Sequence, residues 1–242
     1  MPANVVLPIT AGLLASGIAV GGYFYAGLWP ASQIFGSTLI APRRPGEIAL
    51  TFDDGPNGDY TLRLLDTLAA AQVHASFFLV GDFACQQPEI VRTLAAAGHV
   101  IGTHTQTHPN LFRTAPLRVR EEITSGKATV EDIIGQPVRF FRPPFGARRP
   151  DALRICRELG MTPALWNAMT SDWSATSAEV IVNGLTPKLD RNQRRGYASN
   201  VVLHDGGHRA LGTDRTPSIT AAARLLRLYA SSRKFVTLAD WV

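Results

Sequence analysis

Glu47-Ile48-Ala49-Leu50-Thr51-Phe52-Asp53-Asp54-Gly55-Pro56 is the stretch on which the fold turns. A strand-forming run ends in two adjacent carboxylates and a Gly-Pro turn. The same plan recurs downstream. Strand-like runs are expected at Glu47–Phe52, His74–Val80, His99–His104, Val138–Arg142, Thr162–Ala168, Asn200–His204 and Phe235–Ala239. Helical patterns lie between them at Thr61–Ala71, Glu89–Ala97, Pro116–Ile134, Asp151–Leu159, Ser177–Leu189 and Thr216–Ser231, the third with its Glu and Lys residues toward solvent. Strands alternating with helices predict an α/β fold on a parallel sheet. Strand count alone allows an open doubly wound sheet or a barrel. Polar clusters close the first, third, fourth, fifth and sixth strands, and such convergence is the geometry of a barrel's catalytic face. The expected fold is therefore a distorted (β/α) barrel of about seven strands.

Upstream, the composition changes. The chain has 242 residues, and none of the first 42 is charged; the first charged side chain is Arg43. Val5–Trp29 is long and apolar enough for the roughly 20 residues of a membrane span, and Tyr23, Phe24, Tyr25 and Trp29 crowd its end like an interfacial belt. We expect an N-terminal transmembrane helix, with a cleaved signal peptide as the competing reading. The expected organisation is a hydrophobic anchor over 1–30, a linker over 31–45 and a catalytic domain over 46–242. Gly17 and Gly21 form a GxxxG pair, weak evidence of helix pairing. The net charge is +5, with clusters at Arg148–Arg149 and at Arg191, Arg194 and Arg195. No nucleic-acid motif accompanies them, so they read as a mildly basic solvated surface, suited in part to an anionic leaflet or cell-wall polymer. Two cysteines, Cys85 and Cys156, exclude a disulfide scaffold and read as buried thiols.

The polar clusters carry the chemistry. Asp53 and Asp54 need a bend to face one site, which Gly55 and Pro56 supply, and a cation would relieve their repulsion. His104 and His108, four apart, can present two imidazoles to one metal. With one carboxylate they leave positions open for water, the catalytic pattern rather than the closed structural one. Arg142-Pro143-Pro144-Phe145-Gly146 stiffens a strand exit and offers Arg142 as a permanent cation beside a carboxylate. Trp166-Asn167 and Asp172-Trp173 follow. Leu203-His204-Asp205-Gly206 places a histidine at a strand end as a general acid or base. His208, close behind, is a minor candidate for a substrate contact, and Asp205 reads as a loop-fixing residue.

Together TFDDGP, HTxxH, RPPFG, the DW pair and LHD resemble the polysaccharide deacetylase family, the NodB-homology domain of carbohydrate esterase family 4, over about residues 46–242. The resemblance implies one divalent metal, usually zinc, on Asp54, His104 and His108. It implies Asp53 as general base, Arg142 orienting it, and His204 as the acid tuned by Asp172. Phe145, where the family often has tyrosine, would offer a backbone N–H to the oxyanion beside Pro143, and Trp173 and Leu203 resemble residues lining an acetyl-methyl pocket. The expected activity is metal-dependent N-deacetylation of N-acetylglucosamine-containing glycans: peptidoglycan, chitin-like oligosaccharides or a lipid-linked saccharide. The alternatives are another amide hydrolase, such as an amino-sugar deformylase, and a non-catalytic membrane-tethered glycan-binding module. A cell-wall substrate implies a periplasmic or extracellular catalytic domain, whereas Arg43 and Arg44 weakly favour the cytoplasmic side. The sequence is silent on oligomeric state.

Overall fold

A computed structural model of the protein describes residues 20–242. The expected anchor over Val5–Trp29 falls mostly outside them. Residues 20–28, its described end, form helix α1. Among the described residues no helix is long and apolar enough to cross a membrane.

From α1 the chain runs through β1 (Glu47–Gly55), α2 (Gly58–Ala70), β2 (Ser76–Leu79), α3 (Gly81–Gln86), α4 (Pro88–Ala96), β3 (Val100–Thr103) and α5 (Pro116–Ile134). It continues through β4 (Phe140–Phe141), α6 (Pro150–Glu158), β5 (Thr162–Pro163), β6 (Ala168–Met169), α7 (Ala178–Arg194), β7 (Ser199–His204), α8 (Thr216–Tyr229) and β8 (Lys234–Val236). The strands form one parallel sheet in the order β5-β4-β3-β2-β1-β7-β6, and β8 pairs with the start of β1. Prolines open α4, α5 and α6, where a missing N–H costs no helical bond. Left-handed Gly135 ends α5.

One expected strand is split. Thr162–Ala168 reads as one run, but it forms β5 at one edge of the sheet and β6 at the other. Pro163 has no N–H to extend a ladder. Between the edges, side chains take over the work of a strand partner: Arg142 Nε donates to Ala164 O at 3.4 Å and Asn200 Nδ2 to Leu165 O at 2.6 Å. Because so short a crossing joins both edges, the sheet must curl into a distorted barrel. The segment expected to be a linker, 31–45, lies against this seam. Leu39 N–H donates to Pro163 O, Leu39 O accepts from Leu165 N–H, and Pro42 O accepts from Ala198 N–H.

Strand alternation sorts side chains between two layers. Leu50, Phe52, Phe77, Val201 and Leu203 pack under the helices in the main apolar core. Thr51, Asp53, Phe78, Asn200, Val202 and His204 alternate with them on the barrel interior.

Candidate active site

The two carboxylates converge through a bulge. In the pairing of β1 with β2, Asp53 opposes Phe78 and Gly55 opposes Leu79, so Asp54 is the inserted residue. Its φ is positive, a left-handed conformation that is costly for a residue with a Cβ. The bend is thus made at Asp54 itself, not only by the Gly-Pro that follows. Thr105, His108 and Phe145 are also left-handed, and they carry the same strain in the loops beside it.

Asp54 Oδ1 lies 3.1 Å from His108 Nε2 and 3.5 Å from His104 Nε2. One ligand atom from each of these three buried residues falls within 4.8 Å of the others. His104 Nδ1 is 2.7 Å from Arg142 O. A carbonyl can only accept, so Nδ1 holds the proton and Nε2 turns a lone pair toward Asp54. Burial drives the His104 pKa down to about 4, which keeps the ring neutral. Asp54 Oδ1 is buried and accepts no aligned hydrogen bond despite its imidazole neighbours. Burial pushes Asp54 up, but the His108 and His208 rings set against it and nearby histidine charge outweigh it and hold the carboxyl well below its ordinary value. The His104 lone pair, the His108 imidazole and the Asp54 carboxylate, converging around a buried oxygen with no aligned hydrogen bond, fit a divalent cation.

Asp53 is held from behind. Arg142 NH1 donates to Asp53 Oδ1 at 2.7 Å and to Thr51 Oγ1 at 2.7 Å, and its guanidinium lies over the Phe78 ring. Arg142 is fully buried. Across the pocket Asp172, in a 3₁₀ turn, accepts from His204 twice: Nδ1 to Oδ1 and the backbone N–H to Oδ2, both at 2.8 Å. Ser218 Oγ donates to Oδ2 at 2.7 Å. Burial lowers the His204 pKa, but the Asp172 charge and hydrogen bond overcome it and raise it to about 9. His204 is therefore a cation at neutral pH.

These groups face one pocket of about 550 Å³, lined also by Phe145, Trp166, Met169, Trp173, Val202, His208, Arg209 and Arg215. Trp173 stands edge-on to His204 at 5.3 Å, and Phe145 edge-on to His108 at 4.7 Å. Pro143 is buried behind the Phe145 turn, its carbonyl accepting from Gly146 N–H.

Several expectations are corrected. Leu203 is fully buried on the helix side, and its neighbour Val202 lines the pocket. Only residues two apart on a strand share a face, so Val202, not Leu203, accompanies His204. Glu122, read as solvent-facing, is buried: it accepts the N–H groups of Gln106 and Thr107 and the Thr107 hydroxyl, and it pairs with Arg118. It thereby braces the loop between His104 and His108. Arg148, read as surface, is also fully buried. Cys85 is exposed rather than buried, while Cys156 is buried. His208 stacks on His108, with Nδ1 3.7 Å from Asp54 Oδ2. Asp205 packs against the Gly55 backbone and accepts from Thr61 Oγ1. Arg215 belongs to none of the sequence motifs; it donates to Gly206 O and Trp173 O, tying the loop after β7 to the Trp173 turn.

A parallel barrel with a cluster of metal-ligand residue types and an imidazolium facing one pocket defines a class, that of barrel enzymes whose reacting groups sit at the C-terminal strand ends. Comparison with known proteins narrows it. The family model for polysaccharide deacetylase matches residues 41–164. The chain is 33% identical over 198 residues to a peptidoglycan-N-acetylglucosamine deacetylase of Bacillus cereus, covering 81% of this chain and 68% of that one. It is 36% identical over 175 residues to a chitooligosaccharide deacetylase of Azorhizobium caulinodans, covering 72% and 80%. The crystal structure of the Bc1960 peptidoglycan N-acetylglucosamine deacetylase superimposes with a TM-score of 0.71 at 30% identity, over 84% of this chain and 91% of that one. The chain belongs to the polysaccharide deacetylase family, and it is a deacetylase, a hydrolase.

Proposed function

We propose that the protein is a zinc-dependent N-deacetylase of N-acetylglucosamine-containing glycans, peptidoglycan or chitooligosaccharide, releasing acetate and leaving a free amine. One observation carries the reading. A neutral His104, His108 and Asp54 converge within 4.8 Å, with an arginine-held carboxylate on one side and a cationic histidine on the other.

Asp54, His104 and His108 would hold the cation, and two imidazoles with one carboxylate suit zinc. When bound, the ion supplies Lewis acidity, lowering the pKa of a water from about 15.7 to about 7 and drawing charge from a carbonyl oxygen. The residues do the rest. Asp53 Oδ2, left open because Arg142 occupies Oδ1, takes a proton from the attacking water. A C–O bond forms to the acyl carbon and charge gathers on its oxygen, toward which the Phe145 N–H donates. His204 delivers its proton to the nitrogen as the C–N bond breaks, so the amine departs neutral and acetic acid remains, which gives its proton to solvent and leaves as acetate. Base and acid are separate groups with separately tuned surroundings. Trp166, Met169, Trp173 and Val202 supply apolar surface for a small acyl group. The relatives' substrates support the glycan assignment, and on this proposal the domain works in the periplasm or outside the cell, with the uncharged leader at the membrane.

The zinc-loaded protein should release acetate from peptidoglycan or chitooligosaccharides, and a chelator should abolish it. Asp53→Asn should stop turnover while zinc stays bound. Formate release from formamido sugars in place of acetate would overturn the acyl assignment, and zinc loss in Asp53→Asn would overturn the division between base and ligand.

A further inference from the structure

Arg148 is fully buried, and among the described residues it meets no carboxylate; its side chain donates to backbone carbonyls. NH1 donates to Gly146 O at 3.0 Å and Gly27 O at 3.4 Å; NH2 donates to Trp29 O at 2.9 Å and Ser32 O at 2.8 Å. Its own N–H also donates to Gly27 O at 3.0 Å. Three of the four acceptor carbonyls belong to the end of α1 and the turn that follows it. A helix C-terminus carries unsatisfied carbonyls and partial negative charge, so a guanidinium with five donors is a chemically matched cap. The fourth acceptor is Gly146, within the turn that carries Phe145.

The contact is close on both sides. A Cβ at Gly27 would fall 2.3 Å from the Phe112 ring and 2.8 Å from Arg148 O, so the end of α1 lies backbone against backbone on the domain. Tyr23 and Phe24 add ring contacts to Phe112 at 5.3 and 5.4 Å. On the other side, a Cβ at Gly146 would meet the pocket-lining Trp166 at 2.8 Å. Gly146 is thus wedged between Trp166 and the Arg148 guanidinium, and the strained Phe145 beside it cannot move independently of that carbonyl.

We infer that Arg148 is a positioning residue: it latches the end of the leader to the Pro143–Ala147 turn, so the segment after the apolar leader is part of the construction of the active site and not only a tether. The inference rests on the proposed role of the Phe145 N–H for its kinetic consequence, but the latch itself stands on geometry alone.

Hydrogen exchange by mass spectrometry on the full chain in detergent, with wild type, Gly27→Val, Arg148→Met and Arg148→Lys, separates the two. Gly27→Val pushes α1 away from Phe112 and Arg148 O while leaving the Arg148 side chain and Gly146 chemically intact. It should speed exchange roughly tenfold over residues 26–33 and also over 144–147, with β1 and β7 unchanged. Arg148→Met should do the same more strongly, and Arg148→Lys, which keeps charge without the fork, should recover part of the protection. In acetate-release assays Gly27→Val should lower kcat by about 10- to 100-fold with KM within about twofold, as expected of a displaced donor. Unchanged exchange at 144–147 in Gly27→Val and Arg148→Met overturns the latch. Raised exchange there with unchanged kcat keeps the latch and overturns the role of the Phe145 N–H.

Discussion

Asp172→Asn is the sharpest test of how His204 keeps its proton. Asn has nearly the shape of Asp and can still accept from one His204 N–H, but it carries no charge. The imidazole is now raised from 6.5 to about 9 against the opposing effect of burial. That rise corresponds to roughly 3 kcal/mol of preference for the cation. Once the carboxylate is gone, burial acts with less opposition, and the pKa should fall to or below 6.5. At about pH 7.5 less than about a tenth of the enzyme would then hold the departing proton, so turnover should drop at least roughly tenfold from protonation alone. The assay is acetate release at saturating glycan between about pH 5.5 and about 10. Wild type should show a basic limb that Asp172→Asn shifts down by about two pH units or more, and the variant's deficit should shrink as pH falls. A cation on Asp54 lowers both limbs together, so the test lies in the gap between the profiles. A variant profile that is scaled down but keeps its basic limb in place would refute the reasoning, because His204 would then hold its proton without Asp172.

Other expectations follow from the same contacts. Apo-protein stability should fall as pH rises from 6.5 through about 9, because a raised histidine pKa contributes stability that is complete below the unfolded value and lost above the folded one. The loss should be at most roughly 3 kcal/mol by urea titration and should largely vanish in Asp172→Asn. Glu122→Gln removes the shorter of the two ion pairs of Arg118, leaving Glu121 at 3.8 Å, and weakens the brace on the His104–His108 loop. Zinc affinity should fall about 10- to 100-fold by chelator competition, with circular dichroism of the apo-protein unchanged. Leu203→Ala should cost about 2–5 kcal/mol of stability and leave acyl preference alone, whereas Val202→Ala should shift preference from acetamido toward propionamido substrates. If Leu203 altered acyl selectivity and Val202 did not, the assignment of faces on β7 would be wrong.

What could be read without coordinates divides along physical lines. β1, β7, α5 and α8 carry their signal locally, in apolar runs, periodic faces and first-turn prolines, so their bounds agree with the expectation within a few residues. The site motifs are legible because each closes its own strand. Features that depend on a distant partner are not. The split of Thr162–Ala168 depends on Arg142 and Asn200 satisfying carbonyls that a continuous strand would have bonded. α3, six residues long, is too short to display a helical period. Glu122 looks like any solvated helix acid until the N–H groups of Gln106 and Thr107 are brought to it. Arg148 looks like surface charge because its acceptors at the end of α1 lie more than 100 residues earlier. Leu203 is misplaced for a nearer reason: the pocket face of β7 follows from alternation, and alternation from His204 leads to Val202.

Charge pairing ties these observations together. Asp53 is compensated by Arg142, and Asp172 by His204. Asp54, equally buried, is approached at Oδ1 by two imidazoles; His104 presents a lone pair, and the oxygen accepts no aligned hydrogen bond. Asp54 thus has no short ion pair of its own, only histidine charge nearby, a costly arrangement for a buried carboxylate, and it sits on a left-handed backbone that adds strain of its own. Neither cost returns anything in packing, since Asp54 faces the pocket. The neighbouring pairs cannot relieve it either, because each cation is already committed by short hydrogen bonds to its own carboxylate. A divalent cation on Asp54, as proposed above, would complete the charge balance of the site. Under the proposed mechanism the base and the acid could then each keep a private partner, because such a cation would balance the pocket without drawing Arg142 from Asp53 or Asp172 from His204.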